Sequence, residues 1–128
     1  MILPDGNEVL PRLWIGTPAT CDVARQEGLF CLCVLEESHN QPGCTHFPIL
    51  KGPMQAPIDR VMLAGHYIDR FIDHGPGILV HCGGGAERSP LVVAVWMCKR
   101  FNMDLDEAYA WLKSRRQQVE DRRRWLVG

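Results

Sequence analysis

The chain alternates short, continuous apolar runs with longer segments whose apolar residues recur every three or four positions, the pattern of strands interleaved with helices. Residues 8 to 15 read as one or two short edge strands, since Pro11 has no N–H to give a ladder. Thr20 then caps a short helix, Cys21 to Gln26, which Gly28 ends. Phe30 to Leu35 is apolar throughout, as a strand buried on both faces should be, and is expected at the centre of a sheet. A polar turn, Ser38 to Gly43, leads to a fourth short strand over Thr45 to Leu50. The loop KGPMQAP, Lys51 to Pro57, follows.

Ile58 to Asp73 is the clearest amphipathic helix. Ile58, Val61, Met62, Gly65, Ile68, Phe71 and Ile72 share one face, with Asp59, His66, Asp69, Arg70 and Asp73 opposite. Pro57 suits its first turn, and Gly75 and Pro76 stop it. Gly77 to Val80 is again of strand type, and Leu91 to Phe101 is apolar enough for a buried helix. Asp104 and Glu107 have the spacing of a capping box that opens a helix through Ala108, Trp111 and Leu112. The charged stretch Gln117 to Leu126 is predicted to be helical. Together these elements predict one α/β domain over residues 1–128, with a central, mainly parallel twisted sheet of four or five strands and helices on both faces.

Between the Gly77 strand and the Leu91 helix lies His81 to Pro90, HCGGGAERSP. Five residues separate Cys82 from Arg88, and three of them are glycines, so the backbone can curl with its N–H groups inward, as phosphate-cradling nests do. Gly83, Gly84, Gly85, Ala86, Glu87 and Arg88 are therefore the candidate phosphate-binding residues. The helix that follows aims its positive end at the same point. A thiol at that point feels amide dipoles and a guanidinium, both of which favour the thiolate. Cys82 is the candidate nucleophile. Arg88 can hold two phosphate oxygens bidentately, which a lysine could not do. Ser89 can donate a hydrogen bond to the sulfur when it leaves.

Composition narrows the partners. A net charge of -1 over 128 residues gives no general attraction to nucleic acid or an anionic membrane, so anion binding must come from a local site. The N-terminus has no basic start before an apolar core, and no run is long enough to span a bilayer, so a soluble, cytoplasmic monomer is expected. Six cysteines, Cys21, Cys31, Cys33, Cys44, Cys82 and Cys98, sit largely in apolar runs and read as reduced. Cys31 and Cys33 lack the two-residue spacer of a zinc pair, so no metal and no cofactor are expected.

His81, Cys82, Gly85, Arg88 and Ser89 recur together by chance in on the order of one chain in ten thousand or fewer. The stretch resembles the signature loop of the cysteine-dependent protein tyrosine phosphatases, and the short chain is most similar to the small dual-specificity phosphatases. The order of Leu13 to Gly16, short helix, glycine and apolar strand resembles their entry half. The resemblance implies hydrolysis of phosphate monoesters through a phosphocysteine, on a phosphorylated protein or a small aryl phosphate, with His81 bracing the loop.

The same resemblance implies an aspartate about thirty residues before the cysteine to protonate the leaving group, and there the chain departs from it, with Lys51 at that position. The nearest carboxylates are Asp59, Glu36, Glu37 and Glu87, of which Asp59 is the first candidate for the acid. Glu87 beside a phosphate pocket would weaken binding. A missing acid matters least for phenolate, a good leaving group, so aryl phosphates are the expected substrates. Lipid substrates are disfavoured, since Gly83 to Glu87 holds no lysine. Two further readings stand beside this one: a phosphate-binding domain with impaired catalysis, and a rhodanese-like sulfur transferase.

Overall fold

The computed structural model describes residues 1–37 and 41–128, so Ser38 to Asn40 of the expected polar turn lie outside the described residues. In chain order come β1 (Asn7–Leu10), β2 (Leu13–Gly16), α1 (Pro18–Gln26), β3 (Phe30–Cys33), β4 (Cys44–His46), β5 (Ala56–Pro57) and α2 (Ile58–Phe71). Then follow β6 (Ile78–His81), α3 (Arg88–Phe101), α4 (Leu105–Arg115), a 3-10 turn at Arg123–Trp125 and β7 (Leu126–Val127). The main sheet has the order β1-β2-β6-β3-β4. Only β1 runs antiparallel to its neighbour, so the sheet is mainly parallel, as expected.

Its two faces are sorted by the period of two along each strand. Leu13, Ile15, Leu32, Ile78 and Val80 join the larger core, with Val61, Ala64 and Ile68 of α2, the apolar residues of α3, and Ala108 and Leu112 of α4. Trp14, Cys31 and Leu79 point the other way, into a smaller core with Cys21 and Ala24 of α1. Helices therefore cover both faces. Gly65 matters here for close approach, since a Cβ at that position would meet the Trp96 side chain at 3.4 Å. Among the described residues no helix is long and apolar enough to cross a membrane.

Several expectations need correction. β2 is not an edge strand: it pairs with both β1 and β6 and all four of its residues are buried, because Pro11 falls in the turn and leaves its ladder intact. α1 starts at Pro18 under Thr17, and Thr20 is the third helical residue of a capping box, its hydroxyl accepting from Thr17 N at 2.9 Å. β3 lies beside the central strand, which is β6. β4 ends at His46 because Pro48 cannot extend the ladder, although Phe47 N still reaches Cys33 O at 2.8 Å. Met62 is 37% exposed instead of facing the core. The segment 117 to 126 is not an α-helix, since Glu120 N donates to Ala86 O of the glycine loop at 2.7 Å in place of a carbonyl four residues back.

Candidate active site

The parallel strands deliver their carboxyl ends to one edge of the sheet, and the loop from Cys82 to Glu87 rises there between β6 and α3. Cys82 ends up 1% exposed, at the floor of that loop. Arg88 opens α3, and Glu87 gives the helix no side-chain cap, so its first N–H groups are not spent on the residue that starts it. Such a helix end favours an anion. Of the three glycines, Gly85 is the one the fold demands: its φ is +64°, and a Cβ would lie 2.7 Å from Gly16 O. Gly83 and Gly84 have room for a side chain.

Sequence periodicity alone did not identify the group that holds the loop in shape. Arg116, although charged, is 2% exposed. Its Nε donates to Gly85 O at 2.8 Å and its Nη2 to Gly84 O at 3.3 Å, while Nη1 donates to Asp5 O and Asn7 Oδ1, both at 2.8 Å. By turning two loop carbonyls outward, this guanidinium leaves the amide side of the loop for a ligand. Burial lowers the Arg116 pKa from its ordinary value, and negative charge on Cys82 and Asp5 works the other way. The signal was present in the spacing: Ala108 and Leu112 fall four residues apart on the buried stripe of α4, and Arg116, the residue that ends the helix, continues that interval.

The segment beyond α4 completes the brace. Arg122 Nε donates to Glu87 Oε2 at 2.7 Å, so Glu87 is tied back in an ion pair at the loop's rim. Trp125 is buried, with the Arg122 and Arg88 guanidinium carbons 5.5 and 6.0 Å from its ring centroid. Glu36, Leu50, Gly52, Pro53, Met54, Glu87, Arg88 and Trp125 line a cleft of about 470 Å³ beside the loop.

Arg88 is not idle in this cleft. Its Nε donates to Glu36 Oε1 at 2.8 Å, joining the carboxyl end of β3 to the start of α3. Burial works against its charge, but the Glu36 hydrogen bond, with the negative charge of Glu36, Cys82 and Glu87, raises its pKa overall. Ser89 is fully buried, and its hydroxyl has no hydrogen-bond partner among the described residues, so it remains able to donate to a nearby anion. His81 is also buried, and its Nε2 lies 3.2 Å from Cys44 Sγ on β4. Lys51 is exposed and outside the cleft lining, as is Asp59, whose carboxylate accepts from Arg60 N at 2.9 Å. The carboxylates the fold brings to the cleft are Glu36 and Glu87.

A second cluster lies behind the loop. Cys21, Cys44 and His81 place their sulfur and nitrogen donors within 4.8 Å of one another, although they come from α1, β4 and β6. Hydrogen bonds from Cys31 and then Cys44 pull the Cys21 pKa far below the usual thiol value, and those of Cys31 and Cys44 rise in turn. A search for local spacing could not find donors that only the sheet brings together.

The sequence matches the family described as "Dual specificity phosphatase, catalytic domain" over residues 28–126. Among curated relatives, it is 28% identical over 134 residues to rat Dual specificity protein phosphatase 5, covering 88% of this chain and 31% of that one. It is 37% identical over 126 residues to human Dual specificity protein phosphatase 16, covering 88% of this chain and 18% of that one. The chain thus spans less than a third of the length of either relative. Human DUSP28 superposes with a TM-score of 0.72 at 18% identity, over 93% of this chain and 86% of that one. The human tyrosine phosphatase-like serine/threonine/tyrosine-interacting protein does so with 0.73 at 21%, over 90% and 86%. The family match takes in the Cys82 loop, the helix it feeds and Arg116 behind it, and on that ground the chain belongs to the dual specificity phosphatase catalytic domain family.

Proposed function

We propose that the chain is a single catalytic domain that hydrolyses phosphate monoesters, phosphotyrosine in proteins and small aryl phosphates foremost, through a phosphocysteine. The observation that carries this reading is the position of Cys82 on the floor of a loop with Arg88 at its rim and Arg116 behind it. The Cys82 thiolate attacks phosphorus in line, the bond to the leaving oxygen breaks, and the departing oxygen takes up a proton. Water then attacks the phosphocysteine, releasing phosphate and thiolate. Ser89, whose hydroxyl has no partner among the described residues, donates to that thiolate.

Glu36 accepts from Arg88 Nε, so an incoming phosphate competes with it for that donor. Glu36 lines the cleft and is the better candidate for the proton donor. Asp59, the candidate by sequence, has no such position in the cleft lining. Neither replaces an aspartate fixed for the task, which favours substrates whose leaving group needs little protonation. Phenolate leaves more readily than a serine or threonine alkoxide, so phosphotyrosine should outrun phosphoserine and phosphothreonine.

The test is the rate of aryl phosphate hydrolysis against pH for the native chain and the Cys82→Ser, Glu36→Gln and Asp59→Asn variants. Loss of turnover in Cys82→Ser alone establishes the thiolate route. A falling high-pH limb in kcat that disappears with Glu36→Gln assigns the acid to Glu36, and one that disappears with Asp59→Asn assigns it there. The occupied Arg88 fork and the exposed Lys51 favour one second reading, a phosphate-binding domain with weak turnover. Vanadate binding without turnover would establish it.

A further inference from the structure

We infer that Cys21, Cys44 and His81, with Cys31 as the fourth ligand, form a tetrahedral site for a zinc ion on the face of the sheet opposite the main core. The inference stands apart from the phosphatase reading, because it uses none of the groups that would touch substrate. Three donors already lie within 4.8 Å of one another, and Cys44 Sγ is 3.2 Å from His81 Nε2. Around tetrahedral zinc, with bonds of about 2.3 Å to sulfur and about 2.0–2.1 Å to nitrogen, donors stand roughly 3.5–3.8 Å apart. Side-chain shifts of about an ångström would bring the cluster to that geometry.

The fourth position falls to Cys31, which stands opposite Cys44 in the β3–β4 register, faces the same smaller core as Cys21 and spends its thiol on a long, 3.7 Å contact to Leu29 O. Sulfur and imidazole donors suit zinc better than the hard cations, which take oxygen. The surroundings fit as well. Cys21 and Cys31 are fully buried among Leu3, Trp14, Ala24, Leu29 and Leu79, which would keep water from the ion. Three thiolates and an imidazole leave zinc with a net charge of -1, and Arg25, one turn along α1 from Cys21, is the cation of that helix, its guanidinium also pairing Asp22 at 2.8 Å. Cys44 is half-buried on β4, at the end of the sheet order, and gives the ion a way in.

The site would tie α1, β3 and β4 to the residue immediately before Cys82. It would therefore stiffen the strand that presents the loop, without contact with substrate.

The test uses the Cys82→Ser chain, which removes the catalytic thiol as a competing ligand, reduced and stripped of metal. Cobalt(II) added to it should bind one equivalent with thiolate-to-cobalt charge transfer and the intense visible bands of a tetrahedral site, and zinc should displace it. Adding Cys44→Ala should abolish those bands and weaken binding at least about tenfold, as loss of a ligand must, whereas adding Cys98→Ala should change neither. Absence of tetrahedral bands, or bands that survive Cys44→Ala, would overturn the inference. Should Cys44→Ala fail to fold, iodoacetamide labelling of the Cys82→Ser chain with and without zinc decides. Zinc should protect Cys44 and leave Cys98 reactive, and equal labelling of Cys44 in both states would overturn the assignment.

Discussion

The two walls of the cleft are built to different standards. Behind the loop, Arg116, Glu120 and Arg122 make six hydrogen bonds among them, one each to Gly84, Gly85, Ala86, Glu87, Asp5 and Asn7. In front, the chain from Leu50 to Met54 lines the cleft with apolar carbon and glycine, and the residue expected to bring a carboxylate is an exposed lysine. The difference separates two tasks. Holding a phosphate needs a rigid ring of amides and a fixed guanidinium, and this the rear wall supports. Delivering a proton needs an acid over the leaving group, and the front wall has only Glu36, held by Arg88.

The comparison can be broken at its centre first. Cys82→Ser should lower aryl phosphate turnover by on the order of a thousand-fold or more, since the covalent route is gone, while leaving vanadate or phosphate binding measurable by calorimetry. Arg116→Met should come next. It leaves buried loop carbonyls without donors, at about 1–3 kcal/mol each, so the chain should melt well below the native form and lose phosphate affinity. If Arg116→Met keeps both stability and binding, the rear wall is not the support described here.

Gly85→Ala should cost about 1–2 kcal/mol for its left-handed backbone alone, with the clash against Gly16 O added, whereas Gly84→Ala should fold normally. Thermal melts of the pair would show the contrast. On the front wall, Glu36→Gln frees the Arg88 fork, and because the pair is partly exposed the effect on KM should be only a few-fold, in the direction of tighter phosphate. A fall in kcat of a hundred-fold or more would instead mark Glu36 as the acid.

The smallest effect belongs to Asp121. The Arg123 hydrogen bond holds its carboxyl below the ordinary carboxylate value. Its ionised form therefore favours the fold above the unfolded pKa, and that contribution disappears as pH falls through the lowered value. Asp121→Asn should cost little near neutrality, and the gap between the two melting curves should close in acid.

The apolar runs and their turns were enough to place most elements, because a strand buried on both faces and a helix packed on one stripe leave their period in the order of residues. The Cys82 loop was legible for a related reason, as its chemistry is compressed into ten consecutive residues. Helix boundaries were less so: Thr17, not Thr20, caps α1, since both are good caps and Pro18 at the first helical position decides between them. The helix expected over 117 to 126 failed because local charge pattern says nothing of a backbone N–H that finds its partner in a distant loop.

What the sequence by itself determined was the layered α/β fold and the position of the Cys82 loop between a strand and a helix, both written in neighbouring residues. Only the tertiary structure decided that Arg116 is buried beneath that loop, that Glu36 rather than Asp59 faces Arg88, and that Cys21, Cys44 and His81 meet. Each of these joins residues far apart in the chain. Their proximity is set by the parallel crossovers and the packing of helices on the sheet, which no local period records.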